Sequence, residues 1–259
     1  MSYKIKPALN KFQFNIYSQN GEDGVIEEIL KRLGISNDNK KWCVEFGAWD
    51  GIHLSNTFAL VEKNWNAVYI EGDSNRYQDL LKTSIKYSHI VPIHAFVARY
   101  QSEENSLDKL LKQTQIPKEF ELLSIDIDTY DLDIWESLSN YSPKIVVIEI
   151  NSHIPPGIAW RHSGEVKGNS FSETLNVAHN KGYTLVCHTG NCIFVRNDLV
   201  GNIGLDSGYI QHPELLFLYE FLDASPWLPN KQFKPQRNPI VKFIPKLLRS
   251  VAKKNRNSI

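Results

Sequence analysis

Short apolar runs alternate with amphipathic stretches along most of this chain. "QNGEDGVIEEILKRLG" puts Val25, Ile26, Ile29, Leu30 and Leu33 at helical spacing, with Gly34 as its stop. "KKWCVEFGAWDG" predicts a short buried strand ending at Glu45, then a tight glycine turn. "SNTFALVEK" starts as a helix with Ser55 or Asn56 as its cap. "NAVYIEGD" is a second buried strand that ends in acid, "SNRYQDLLKTSIKY" a capped helix, and "HIVPIHAFV" a third strand. "SLDKLLKQ" is helical, "FELLSIDID" the fourth strand, "YDLDIWESLSN" a helix and "PKIVVIEIN" the fifth strand. A loop rich in Gly, Pro and Ser runs from Ser152 to about Asn169. "SFSETLNVAHNKGY" is then a helix, and "TLVCHTGNCIFVRN" a hairpin turning at Thr189, Gly190 and Asn191.

Strands alternating with helices predict a mostly parallel sheet with helices on both faces. The hairpin adds an antiparallel strand. At 259 residues and 42% hydrophobic composition, one large domain can bury a sizeable core. We expect it over residues 1–230, with a helical extension over 1–40. From Lys231 onward there are nine Lys/Arg and no Asp/Glu, which leaves 20 basic against 29 acidic residues before it. Residues 231–259 therefore read as a separate basic, amphipathic tail. No leader-like segment and no bilayer-length apolar run is visible, and three cysteines without framework spacing suit a reducing cytoplasm.

Acidic and amide residues recur where strands leave the core, and in an open α/β sheet that edge is where ligands sit. The first strand gives Glu45, Gly47, Asp50 and Gly51, the second Glu71 and Asp73, the fourth Asp126 and Asp128, and the fifth Glu149 and Asn151. The two glycines let the backbone turn sharply and let a ligand approach. Neither a G-x-G-x-x-G fingerprint nor a phosphate loop is present. An acid at the end of the second strand suits the two hydroxyls of a ribose. Asp128 and Glu149 end strands expected to be neighbours, about 4.8 Å apart. Two carboxylates that close repel, so one must hold a proton or a cation must lie between them.

"VEFGAWDG" followed by "AVYIEGD" resembles the cofactor half of class I S-adenosylmethionine-dependent methyltransferases. "YSQNGEDGVI" upstream and "IDIDTYDLDIW" with "IVVIEIN" downstream narrow the resemblance to the FkbM-like branch. It spans roughly Tyr17 to Val195. Where that branch more often has glutamate and then glycine, this chain has Asp128 in "DIDTYD", which is similar to metal-dependent sugar O-methyltransferases. The resemblance implies a three-layer Rossmann-like sandwich, a seven-stranded sheet of order 3-2-1-4-5-7-6, and S-adenosylmethionine as cofactor. It implies that Gln19, Asp23, Glu45, Gly47, Ala48, Asp50, Gly51, Ser55, Asn56, Glu71 and Asp126 form the cofactor site. It also implies a divalent ion, Mg²⁺ or Mn²⁺, on Asp128, Glu149 and Asn151. The acceptor would be a hydroxyl of a saccharide or related polar metabolite, as in surface or capsular glycan assembly, and no nucleic acid.

Catalytic candidates are Asp128, His153 and His162, the histidines because a loop that long after a site strand often works as a lid. A solvated loop histidine is the plainer reading. Asp131 and Asp133 suit a helix N-terminus, and Asp126 either faces the cofactor or caps a turn. Trp160 and Arg161 suit stacking on or charge-pairing with a substrate, with Trp160 alone equally suited to pinning the loop, and "CHTGNC" fits no common zinc spacing. Two other functional classes compete: a binding protein that has lost activity on the same fold, and a metal-dependent hydrolase. The tail either docks on the acidic body or lies on an anionic membrane, which would put the protein at the inner face while cytoplasmic.

Overall fold

The computed structural model describes residues 8–222, apart from 39 and 165. The tail expected to dock or to touch a membrane, residues 231–259, lies outside the described residues, as do the first seven residues of the N-terminal extension. Among the described residues no helix is long and apolar enough to cross a membrane.

Seven strands form one sheet: β1 (Trp42–Phe46), β2 (Asn66–Glu71), β3 (Ile90–His94), β4 (Leu122–Ile125), β5 (Ile145–Glu149), β6 (Tyr183–His188) and β7 (Asn191–Arg196). Their order is β3-β2-β1-β4-β5-β7-β6, the order the resemblance implies. All pairings are parallel except β5 with β7 and β6 with β7. Among the described residues eight helices accompany the strands: α1 (Glu22–Arg32), α2 (Phe58–Val61), α3 (Ser74–Lys86), α4 (Leu107–Lys112), α5 (Asp131–Ser137), α6 (Phe171–Asn180), α7 (Val200–Ile203) and α8 (Ser207–Gln211).

The side-chain period of two divides each buried strand between two cores. Val44 and Phe46 of β1, with Val146 and Ile148 of β5, face Leu110, Trp135 and Val177 from α4, α5 and α6. Cys43, Ala67, Ile145 and Val147 face Ile26, Ile29 and Leu80 from α1 and α3. The sandwich thus has three layers. Pro92 lies in β3, which pairs only with β2, so its missing donor costs the ladder nothing on the open side.

Two local readings change. The segment expected to be helical from Ser55 gives one turn, α2, because Ser55 and Asn56 point into the interior instead of starting the helix. Ser55 still acts as a cap: its Oγ accepts the N–H groups of Thr57 and Phe58 at 3.2 and 3.0 Å. After the hairpin, α8 and a 3₁₀ turn at Pro213–Leu216 pack back onto β6, α7 packs on α1, and Phe221 of a second 3₁₀ turn at Tyr219–Leu222 meets the His188 ring of β6. These short pieces have too few turns for a periodic signal.

The chain passes from β3 across the sheet to β4, on the far side of β1. Connections therefore leave the carboxyl ends of β1 and β4 in opposite directions, and a crevice opens between them.

Candidate active site

On the β1–β2 side the chain turns through Gly47 and Gly51, with φ of 77° and 80°. Glu71, at the end of β2, braces that turn. Its Oε2 accepts the N–H of Trp49 at 2.8 Å and its Oε1 the N–H of Asp73 at 2.7 Å. Asp50 accepts the N–H groups of Ile52 and His53 at 2.8 and 2.7 Å, which closes the turn into a fixed loop around Ala48 and Gly51. Glu45 lies underneath, accepting from Ser55 Oγ at 2.6 Å, Thr57 Oγ1 at 2.5 Å and the Asn56 N–H at 3.1 Å. Burial raises its pKa, and those hydrogen bonds oppose the shift. Asn56 reaches across to Ser124 Oγ of β4 at 3.1 Å. Glu45, Ser55 and Asn56 are thus an internal frame beneath the turn.

The segment before α1 is built around two acids. Asp23 Oδ2 accepts the N–H groups of Ile16, Tyr17 and Ser18, each at 2.8 Å. Glu22, fully buried, accepts from the Asn20 N–H and Thr189 Oγ1, both at 2.7 Å, and from Asn191 Nδ2 at 3.2 Å. Asp23 therefore shapes the loop, and Glu22 ties it to the β6–β7 turn. Between them Gln19 and Asn20 border a cavity of about 370 Å³.

That cavity stands over the carboxyl ends of β4 and β5. Asp126, Asp128 and Glu149 line it, with Asn151, Ser152 and His153 from the following loop. Its walls do not include Gly47 or Glu71, so the chain offers two adjoining regions: a braced turn, and an acidic hollow beside it.

The four aspartates after β4 have four different tasks. Asp131 is buried at the start of α5, and its two oxygens accept the N–H groups of Ile127 and Thr129 at 2.8 and 2.9 Å. This clamp holds the turn in which Asp128 takes a left-handed φ of 63° at the cavity rim. Asp133 pairs with Arg99 at 3.2 Å and Arg161 at 3.0 Å. Asp126 and Glu149 line the same cavity, and each shifts the titration of the other. Sequence spacing paired Asp128 with Glu149; the structure adds Asp126 to the same cavity and, through the turn at residues 127–129, puts Asp128 at its rim.

Burial raises all three buried carboxyls: Asp126 to about 6, Asp131 to about 7 and Glu149 to about 9. For Glu149 the neighbouring charges of Asp126 and Asp128 add to burial. Near neutrality the Asp126–Glu149 pair holds one proton and titrates as a unit. Raised carboxyl pKa values mean that the folded state binds protons more tightly than the unfolded chain. Their stabilising effect is complete below the ordinary carboxylate range and is lost as pH rises through about 6 to 9. We predict a melting temperature that falls by several degrees across that window and a Glu149→Gln variant with a flatter profile. Parallel profiles for the two proteins in scanning calorimetry would refute this.

The long loop is stapled down. Arg161 binds Asp133, Glu136 at 2.6 Å and Glu173 at 2.9 Å, so it joins the loop to α5 and α6 and has no need of a substrate. His162 accepts the Gly168 N–H on Nδ1 at 3.3 Å and meets the Tyr130 ring edge-on, and it is not among the cavity walls. His153 does line the cavity and donates from Nδ1 to the Phe221 carbonyl at 2.8 Å. Behind it His188 is fully buried: Nδ1 accepts the Leu218 N–H at 3.0 Å, leaving Nε2 as the donor to Ser152 Oγ at 2.9 Å. Burial lowers its pKa to about 3. It is a structural histidine, consistent with the poor zinc spacing of its segment.

The residues named for a divalent ion do not fit one. Asn151 spends its amide on the Lys167 carbonyl at 2.8 Å and its Oδ1 on the His153 N–H at 3.1 Å. Glu149 is engaged by Asp126, and Asp128 stands apart at the rim. Among the described residues no group of three acidic, His or Cys side chains is arranged to hold a metal ion.

Sequence reasoning passed over Lys167, Asn191 and Phe221, which also border the cavity. Lys167 sits in an irregular loop and Phe221 in a short turn, where no period marks a residue. Asn191 was legible only as part of a hairpin turn.

No protein-family model matches this sequence, and no curated protein matches it. Solved structures do. A SAM-dependent methyltransferase from Aquifex aeolicus is 11% identical, over 66% of this chain and 87% of that one, with a TM-score of 0.37. M. jannaschii TYW2 in complex with AdoMet is 17% identical, over 70% and 78%, with a TM-score of 0.38. The N-terminal domain of EvdMO1, in the presence of SAH and D-fucose, is 9% identical, over 74% and 91%, with a TM-score of 0.44. At these identities the likeness is one of fold alone.

Proposed function

We propose that this chain transfers a methyl group from S-adenosylmethionine to a hydroxyl of a saccharide or similar polar metabolite. The observation that carries the reading is the juxtaposition at the crevice: a glycine turn braced by Glu71 beside a cavity lined by Asp126, Asp128 and Glu149. Gly47 lets the turn close against the end of β4, since a side chain there would meet the Asp126 backbone. Gly47, Ala48, Asp50, Gly51 and Glu71 would hold the cofactor, with Gln19 and Asp126 toward its amino-acid end. When bound, the cofactor supplies an electrophilic methyl group on a sulfonium.

This chain's part is to orient the acceptor oxygen and to take its proton. Asp126, ionised above about pH 6 and steadied by the protonated Glu149, accepts that proton. Holding the oxygen in line with the methyl group accounts for much of the remaining acceleration. The polar walls, including Gln19, Asn20, Asn151 and Asn191, suit a hydroxyl-rich acceptor. A binding protein without activity would leave the strained rim residue Asp128 and the proton-sharing pair without a task. A hydrolase would leave the Glu71-braced turn without one.

S-adenosylhomocysteine is expected to raise the melting temperature by mass action, by roughly 2.7 kcal/mol of stabilisation at a hundredfold excess over Kd. Glu71→Ala is expected to abolish most of that shift, because the turn loses its brace and the ribose its acceptor. No shift in the wild type at millimolar ligand would sink the cofactor assignment. Exhaustive chelation is expected to leave turnover intact; loss of activity on chelation, with recovery on adding Mg²⁺, would show that an ion replaces the shared proton.

A further inference from the structure

The glycine turn contains a residue that its backbone does not favour. Trp49 has a φ of 49°, in the left-handed region where a bulky side chain is strained. Its side chain gains little by burial, since it remains 39% exposed. The Trp49 N–H is the one that Glu71 Oε2 accepts, so the indole stands directly beside the end of β2. The Arg76 guanidinium, in the first turn of α3, lies over the ring at 4.3 Å, and His53 meets it edge-on at 5.0 Å. Asn or Gly would take this conformation at less cost. Strain kept at an exposed aromatic is the mark of a functional constraint rather than of packing.

We infer that Trp49 is a specificity-determining residue for the nucleoside end of the ligand held at Glu71, its indole providing the surface on which the purine or its ribose packs. This rests on the cofactor reading above. Two features place the nucleoside here. Glu71 is the acid suited to ribose hydroxyls, and Phe96, 75% exposed, lies against Gly72, the next residue, so a second exposed aromatic stands at that strand end. The guanidinium covers one face of the indole and steadies its tilt, while 39% of the residue stays exposed.

The test compares wild type, Trp49→Gly and Trp49→Phe, with S-adenosylhomocysteine as the probe in calorimetry and ligand-free melting run alongside. Trp49→Gly is expected to melt no lower than wild type, because glycine relieves the strained φ. It is expected to bind the probe about tenfold more weakly, the scale of a lost base-stacking contact. Trp49→Phe is expected to bind within about threefold of wild type and to lose any ligand-induced quench of indole emission that wild type shows. Equal affinity of Trp49→Gly and wild type would overturn the inference while leaving the cofactor assignment standing. So would a ligand-free melting temperature for Trp49→Gly lowered by more than about 5 °C, which would make the indole a packing residue. Failure of wild type itself to bind defeats the cofactor assignment and this inference with it.

Discussion

Asp126→Asn is expected to cut turnover by about 10² to 10⁴-fold, the scale of losing a positioned general base, and to weaken S-adenosylhomocysteine binding by a much smaller factor through the lost charge at its amino-acid end. The substitution keeps the shape of the side chain and removes its capacity to take a proton. In the wild type Asp126 is raised to about 6 by burial and its partner Glu149 to about 9 by burial and the adjoining carboxylates. Between those values the pair carries one proton and one negative charge, so a basic oxygen faces the cavity over the physiological range. The wild-type rate should therefore rise with pH through about 6 and level off below about 9. The variant should lose the acid limb as well as the rate. Release of S-adenosylhomocysteine across a panel of neutral saccharides gives the readout. Unchanged turnover, or an unchanged acid limb in the variant, would remove Asp126 from the reaction.

Gly47→Ala is expected to destabilise the fold by roughly 2–5 kcal/mol, combining left-handed strain with overpacking. A Cβ at Gly47 would lie 1.9 Å from the Asp126 carbonyl oxygen and 3.0 Å from its carbonyl carbon, and φ there is +77°. Both neighbours are backbone, so neither can swing aside. The ends of β1 and β4 would have to part, and Asp126 would lose its place against Glu149. At about 2–4 °C per kcal/mol, the melting temperature should fall by roughly 10 °C. Gly34→Ala is the control: φ there is +67° but nothing lies within 4 Å of the added atom, so only the conformational cost of about 1 kcal/mol applies. Equal melting of the two variants would show that the contact between Gly47 and β4 does not matter to the fold.

Much of the architecture was legible because it depends on local composition. β1, β2, β4 and β5 are nearly continuous apolar runs, and only a strand covered on both faces can use such a run. α1 showed its period and α6 was read as a helix; the structure adds the cap of α6, Ser170, which accepts the Glu173 N–H. The acids at the strand ends were visible for the same reason, since polar residues mark where a buried run meets solvent.

Partners were another matter. Asp126 and Asp128 differ by two positions in the chain and look alike in the sequence; the clamp of Asp131 on Ile127 and Thr129 leaves Asp126 half-buried and Asp128 exposed at the rim. Asn151 looked like a ligand because it follows a strand, and its amide is consumed by Lys167 and His153. Arg161 looked available and is bound to three acids from two helices. The sequence by itself determined the strands, their burial and the crowding of charge at one edge of the sheet, because periodicity and desolvation act on neighbouring residues. Only the tertiary structure decided which carboxyls share a proton, which are spent on the backbone and which face the cavity, because hydrogen bonding saturates and each choice depends on groups brought together from distant parts of the chain.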